Sequence, residues 1–288
     1  MPQTNWTTIV SAKARSKTNF KDLLNSKDLI LLWVRREFVA KYKQTVLGPA
    51  WAVIQPLMTT VVFTLIFGEV ANLGSAKVPN FIFYLSGTVM WGLFANCLTH
   101  NSSTFVTNAG IMGKVYFPRL VMPVATAISQ FITFAIQYAF MLIFLAYFMI
   151  TGQGVAPNWA VLLTPVLLIQ LAILGTGFGV IISSLTTKYR DLTMAVGFGV
   201  SLWQYLSPVA YDMFSRERLA SIDAGGALYV IYMLNPVTPI INVFRYAYLG
   251  IGYIDWLFYG ISWAFTLLVA FVGVRLFSKV EKTFMDTV

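Results

Sequence analysis

The chain has 288 residues, of which 58% are hydrophobic and only 11% charged, roughly half the charged share of a typical soluble domain. A water-soluble core cannot hide that much apolar surface, and the net charge of +9 is dispersed between apolar stretches as membrane topology requires, which sets nucleic acid aside as a partner. One Cys, Cys97, precludes an intrachain disulfide and reads as a packing residue.

Residues 1–49 read as a cytoplasmic N-terminal segment. Its first 27 residues carry Lys13, Arg15, Lys17, Lys21 and Lys27 and no apolar run of signal-peptide length. Residues 27–46 predict a surface helix on which Leu31, Val34, Phe38 and Tyr42 share one face, Arg35 and Lys41 flank it, and Arg36 and Lys43 lie opposite. Such a helix lies in the membrane boundary with its flanking cations reaching lipid phosphates, or packs on a partner, and the two are compatible. Gly48-Pro49 ends it.

Residues 50–274 read as the membrane domain. A spanning helix takes about 20 apolar residues, and seven charge-free stretches approach that length: Ala50 to Phe67, Phe81 to Leu98, Leu120 to Ile150, Trp159 to Thr187, Leu192 to Tyr211, Gly225 to Phe244 and Trp256 to Val274. The sixth holds Asn235-Pro236-Val237-Thr238-Pro239, and two prolines three apart remove amide donors and disfavour helix before each ring. This predicts a re-entrant pair of short helices broken at Asn235, Pro236 and Pro239, tolerated where irregular backbone is buried in protein. The fold class is then all-α integral membrane: six transmembrane helices, an N-terminal amphipathic interface helix, and a re-entrant helix pair before the last span. Residues 275–288 are a cytoplasmic tail. With both termini inside, 16 of the 20 Lys and Arg are cytoplasmic, and Lys77, Arg216, Arg218 and Arg245 are outside. Seven spans would leave 14 inside, so the broken helix decides for six.

The only Gly-Lys pair, Gly113-Lys114, is followed by Val115 and has Asn108 where a phosphate loop needs Gly, so this chain has no ATP site of its own. No Asp, Glu, His or Lys falls inside the seven stretches, against ion-coupled transport. Glu69 and His100 sit just beyond span ends, and the lone His100 reads as an interfacial hydrogen-bonding residue. Asn101-Ser102-Ser103 matches a glycosylation sequon on the cytoplasmic side and is set aside. The run Gly175-Thr176-Gly177-Phe178-Gly179 predicts close internal helix packing in preference to a dimer seam. The inner loop Asn101 to Arg119, with a helical candidate over Ile111 to Phe117, is either a docking surface or an ordinary connection.

The segment Arg35 to Leu57, RREFVAKYKQTVLGPAWAVIQPL, resembles the opening region of the membrane subunits of ABC-2 type polysaccharide exporters, with Tyr42, Lys43, Gln44, Thr45, Leu47, Gly48, Trp51 and Pro56 matching the pattern. Further likeness falls at Gly113 to Arg119, at Lys188-Tyr189-Arg190-Asp191 and at Leu234-Asn235-Pro236, in the family's order. The resemblance implies a homodimeric channel in the cytoplasmic (inner) membrane, two copies of an ABC ATPase subunit docked beneath, and ATP and Mg held by that partner, with no cofactor in this chain. It implies a lipid-linked polysaccharide as cargo, O antigen, capsule or teichoic acid, while drug exporters share the fold. It also implies a coupling helix within Asn101 to Lys114, and Thr104, Asn108, Lys114, Lys188 and Arg190 are the candidate contacts to the ATPase. Arg119 is the candidate pyrophosphate contact, since Arg pairs bidentately with phosphate. Aromatics make up 16% of the chain, and Phe81, Tyr84, Thr88 and Trp91, which share a face of the second span, are candidate channel-lining residues on which sugar rings stack. Two further classes remain open: an integral-membrane glycosyltransferase or polymerase, for which Asp212, Glu217, Asp223 and Asp255 offer carboxylates without an evident pairing, and a non-catalytic membrane scaffold.

Overall fold

The computed structural model describes residues 25–75, 77–112, 117–186, 191–212 and 226–283. Among them every regular element is helical, as backbone in hydrocarbon requires. The helices are α1 (Lys27–Tyr42), α2 (Trp51–Phe63), α3 (Asn80–Ser102), α4 (Thr104–Met112), α5 (Val121–Ile150), α6 (Thr164–Thr186), α7 (Leu192–Leu206), α8 (Ala227–Leu234), α9 (Val237–Leu249) and α10 (Trp256–Thr283). A 3-10 turn (Gly48–Ala50) leads into α2 and a π-helical stretch (Thr64–Val70) extends it, and another 3-10 turn (Trp159–Leu163) opens α6. Between α1 and α2 the backbone turns through Gln44 and Gly48, at φ 70° and 51°.

Among the described residues five helices are long and apolar enough to cross a membrane: Gly48–Val70, Asn80–Ser102, Val121–Ile150, Trp159–Thr186 and Trp256–Val280. They match the expected first four spans and the last. Three expectations change. The stretch Leu192 to Tyr211 helps only as far as Leu206, a helix of 15 residues, or about 22 Å, short of the ~30 Å of hydrocarbon. Pro208 is the reason: it pushes the residue before it out of helix, and Ser207 is extended. In the loop after α3 a helix covers Thr104–Met112, starting before the candidate Ile111 to Phe117, of which residues 113–116 lie outside the described residues. The last helix runs on to Thr283, beyond the expected Val274, because Phe277 is fully buried and stacks on Phe105 of α4 at 4.5 Å.

The core sits around α3, which packs against α2, α5, α6, α7 and α9; its apolar window is 78% buried, against 22% for the first span. Glycine sets its distance from α6. A Cβ on Gly175 would stand 2.6 Å from the Phe94 carbonyl oxygen, and one on Gly179 2.6 Å from that of Leu98. On the opposite face of α6, a Cβ on Gly177 would meet Val269 Cγ1 of α10 at 2.9 Å. The small-residue run therefore joins helices of one chain, as expected.

Pro56 lies inside α2 and has no amide to give the carbonyl four residues back, at Ala52. Gln137 of α5 supplies the missing donor, its Nε2 lying 3.0 Å from the Ala52 oxygen.

Candidate functional site

One end of the bundle carries α1, α4 and the start of α5. The buried face of α1 is set by polar groups. Trp33 and Val34 are buried while Leu31 and Leu32 are each 65% exposed, so the expected apolar face is split: Val34 packs inward, Leu31 points out, and Phe38 and Tyr42 are half-buried. The cause is a hydroxyl stripe on α5. Glu37 accepts hydrogen bonds from Thr126 Oγ1 at 2.6 Å and from Ser129 Oγ, and one turn on Lys41 Nζ donates to Thr133 Oγ1 at 3.3 Å. Glu37 and Lys41 are i and i+4, and Thr126, Ser129 and Thr133 follow the same helical row, so the two helices mesh as a polar ladder. Arg35 stays exposed, and the Arg36 guanidinium lies 4.8 Å over the Trp33 ring.

Beneath the C-terminal turn of α1 a cleft of about 200 Å³ opens where α1, α2, α3 and α5 converge, lined by Lys41, Tyr42, Trp51, Ala52, Gln55, Asn96, Thr133 and Gln137. Arg119, the expected pyrophosphate contact, is half-buried at the start of α5 and is not among these residues.

The coupling candidates divide. Thr104 is 2% exposed and donates to Asn101 Oδ1 at 3.5 Å, and Asn108 Nδ2 turns back to the Thr104 carbonyl at 3.0 Å. Thr104 therefore anchors α4 within the chain and is not a surface contact. The outward face of α4 is Val106, Thr107 and Gly110. Lys114, Lys188 and Arg190 lie outside the described residues. Asn101 is fully buried, its Nδ2 2.9 Å from the Cys97 carbonyl, which leaves no space for a glycan.

The expected channel-lining residues are packed within the single chain. Tyr84, Thr88 and Trp91 are 0%, 7% and 4% exposed. Tyr84 meets the Phe63 ring at 6.2 Å, Trp91 meets Phe94 and Trp203 at 5.2 and 6.3 Å, and half-buried Phe81 meets Phe144 at 4.8 Å. Because α3 is the central helix, its aromatic stripe fills the core.

The opposite end gathers the break between α8 and α9 with the turns that follow α2, α5 and α7. Asn235 Nδ2 donates to Ser207 Oγ at 2.9 Å, and its Oδ1 accepts from Trp203 Nε1 at 3.2 Å and from the Val237 amide at 3.3 Å. Pro236 precedes α9 and Pro239 occupies its third position, where the amide has no helical partner to lose. The Pro236 carbonyl accepts from Ser262 Oγ of α10 at 2.6 Å. Nearly all of α9 is buried, including Arg245 at 4%. Its guanidinium donates to the carbonyls of Pro208, Val209 and Phe83 and lies 3.7 Å over the Phe83 ring. Asp255, one of the outer carboxylates, caps α10 through the Leu257 and Phe258 amides at 3.2 and 3.4 Å.

Sequence reasoning missed two of these groups. Arg245 was counted as an outer-loop charge, although an Arg beside an apolar stretch with no carboxylate within a turn signals a buried cation. Glu37 was overlooked, although Thr126, Ser129, Gln130, Thr133 and Gln137 form a polar stripe at helical spacing in an otherwise apolar span.

A family model described as ABC-2 type transporter matches residues 28–249. Among curated proteins, an O-antigen export system permease protein RfbA of Klebsiella pneumoniae is 26% identical over 266 residues, covering 90% of this chain and 94% of the relative. A second of the same name and organism is 25% identical over 262 residues. One of Myxococcus xanthus is 26% identical over 227 residues, covering 78% of this chain and 82% of the relative.

Proposed function

The chain belongs to the ABC-2 type transporter family, and from that premise we propose that it is the channel-forming transmembrane subunit of an ATP-driven exporter of lipid-linked polysaccharide, O antigen foremost. The observation that carries this reading is the likeness to permeases named for O-antigen export, which runs over 90% of this chain and 94% of the relative. ATP and Mg belong to a separate ATPase subunit, two copies of which dock at the end bearing α4, through the face of Val106, Thr107 and Gly110. That end is cytoplasmic, in keeping with the distribution of Lys and Arg, and both termini lie there, in the cytoplasmic membrane. Six crossings result if α7 and the turn after it form the fifth and α8 and α9 dip into the outer leaflet and return.

A second copy completes the channel. On the first span Trp51, Gln55, Met58, Val62, Leu65 and Glu69 are all exposed, at alternating spacings of four and three that make one continuous stripe. On α7, Met194, Phe198, Leu202 and Tyr205 are 85%, 68%, 49% and 52% exposed. These faces are open in the single chain while that of Tyr84 and Trp91 is packed, and they are the ones we assign to line a passage or meet a partner copy.

The test is transport in inside-out vesicles carrying the chain and its ATPase. Lipid-linked O antigen should become protected inside the vesicles only when ATP is hydrolysed, and a capsule or teichoic acid precursor should not replace it. ATP hydrolysis by the isolated chain, or no protected polymer with an active ATPase bound, would contradict the reading.

A further inference from the structure

We infer that the half-open cleft beneath α1 binds the phosphate-bearing, hydroxyl-rich head group of a membrane lipid. The cavity measures about 200 Å³, and water takes ~30 Å³ each in the liquid, so it has room for several waters or for one head group. It is smaller than the ~300–1,000 Å³ that encloses a drug-sized ligand, which suits a head group and leaves any longer saccharide outside the cleft.

Within the cleft the side chains of Lys41, Thr133 and Gln137 are hydrogen-bonded, while those of Tyr42, Gln55 and Asn96 are not. Tyr42 Oη is enclosed and hydrogen-bonds to nothing, a state that costs stability until something polar docks there. Gln55 and Asn96 use only their backbone carbonyls, with Thr59 and Thr99 respectively, so both side-chain amides face the cleft uncommitted. Lys41 Nζ spends one of its three donors, on Thr133. Lys41 is also the one charged residue of the lining, since the two oxygens of Glu37 are taken up by Thr126 and Ser129. One cation, a phenol, two free amides and the exposed ring of Trp51 suit an anionic phosphate with a sugar or glycerol hydroxyl beside it. Val46 and Leu47, 102% and 46% exposed in the segment that joins Tyr42 to Trp51, offer apolar surface for the acyl or prenyl chain.

Two lipids carry that chemistry: a bulk anionic phospholipid and the lipid-linked saccharide of the proposed function. Only the second source rests on the export reading. Native mass spectrometry of the full chain separates them, with phosphatidylcholine, phosphatidylglycerol and a polyprenyl diphosphate saccharide as probes. One anionic lipid should be retained per chain and phosphatidylcholine should not. Lys41→Gln with Asn96→Ala should lower retention about tenfold, equivalent to ~1.4 kcal/mol, Tyr42→Phe should lower it less, and Lys41→Arg should keep it. Displacement of phosphatidylglycerol by the saccharide identifies cargo, and retention against it identifies bulk lipid; either result upholds the site. Equal retention of phosphatidylcholine, or unchanged anionic retention in the double variant and in Tyr42→Phe, overturns it. Because binding is read without ATP or transport, its failure leaves the export reading standing, and a failure of export leaves the site standing.

Discussion

Both ends of the bundle bring charge into apolar surroundings, and they finish the job differently. At the end that carries the break between α8 and α9, Arg245 is enclosed, and its guanidinium reaches three backbone carbonyls, two of them in the turn that follows α7. At the end that carries α1, Lys41 donates to one hydroxyl and lies over the Tyr42 ring, and the Tyr42 phenol beside it remains unpaired. A buried cation whose two terminal nitrogens donate to carbonyls of the same chain, with Nε left unpaired, is a pin: it holds α9 to the end of α7 and to α3, and with Asn235 it keeps the broken helix in place. A cation at a half-open cleft with spare donors has capacity for something else. The difference teaches that local satisfaction, more than charge itself, separates scaffold from site in a membrane domain.

The contrast can be broken or sharpened by substitution, and the core supplies the largest effect. Trp91→Ala should cost about 3–5 kcal/mol, read as a fall in the unfolding midpoint of the detergent-solubilised chain; a fold as stable as the parent would return that face to the passage. Next comes the pin at Arg245. Arg245→Met leaves three carbonyls short of a charged donor and should cost about 3 kcal/mol at least, since one hydrogen bond to a charged group contributes ~1.5–3 kcal/mol. Arg245→Lys should recover only part, because an ammonium cannot match the planar fork.

A smaller effect tests whether Gln137 repairs the defect made by Pro56. Gln137→Leu should cost about 1–2 kcal/mol in the parent chain and much less in a Pro56→Ala background, where the helix supplies the Ala52 oxygen with its own donor; additive costs would show that Gln137 does something else. The smallest effect is at the ladder between α1 and α5. Glu37→Gln, which keeps an acceptor, should cost about 0.5–1 kcal/mol, and Glu37→Ala should speed amide hydrogen exchange throughout α1 without changing that of α9. Equal exchange in both helices would mean that the ladder does not hold α1.

Much of the fold was legible because hydrocarbon length imposes a strong rule: five long apolar runs became long helices, and Asn235-Pro236 became a break, with Pro239 taken into the first turn of α9. The fifth span was overestimated because apolar composition continues past Leu206 while Pro208 ends the helix there. The site was less legible. A helical wheel places Tyr84 and Trp91 on one face, but in a membrane protein an aromatic face suits core, lipid and passage equally, and only the central position of α3 decides among them. For α1, amphipathicity groups Leu31, Val34, Phe38 and Tyr42 on one face but gives no sign of the hydroxyl stripe on α5 that meets Glu37 and Lys41. Long-range partners such as Gln137 with Ala52 leave no trace in any single helix.

The account depends most on which end faces the cytoplasm and receives the ATPase. Introduce one cysteine at Thr107, on the outward face of α4, or at Gln153, exposed after α5, and treat intact cells with a membrane-impermeant thiol reagent; the native Cys97 is fully buried. The account predicts that position 153 labels in intact cells, whereas position 107 labels only after permeabilisation and is protected once the ATPase is bound. Labelling of position 107 from outside, or labelling that the bound ATPase leaves unchanged, would contradict it.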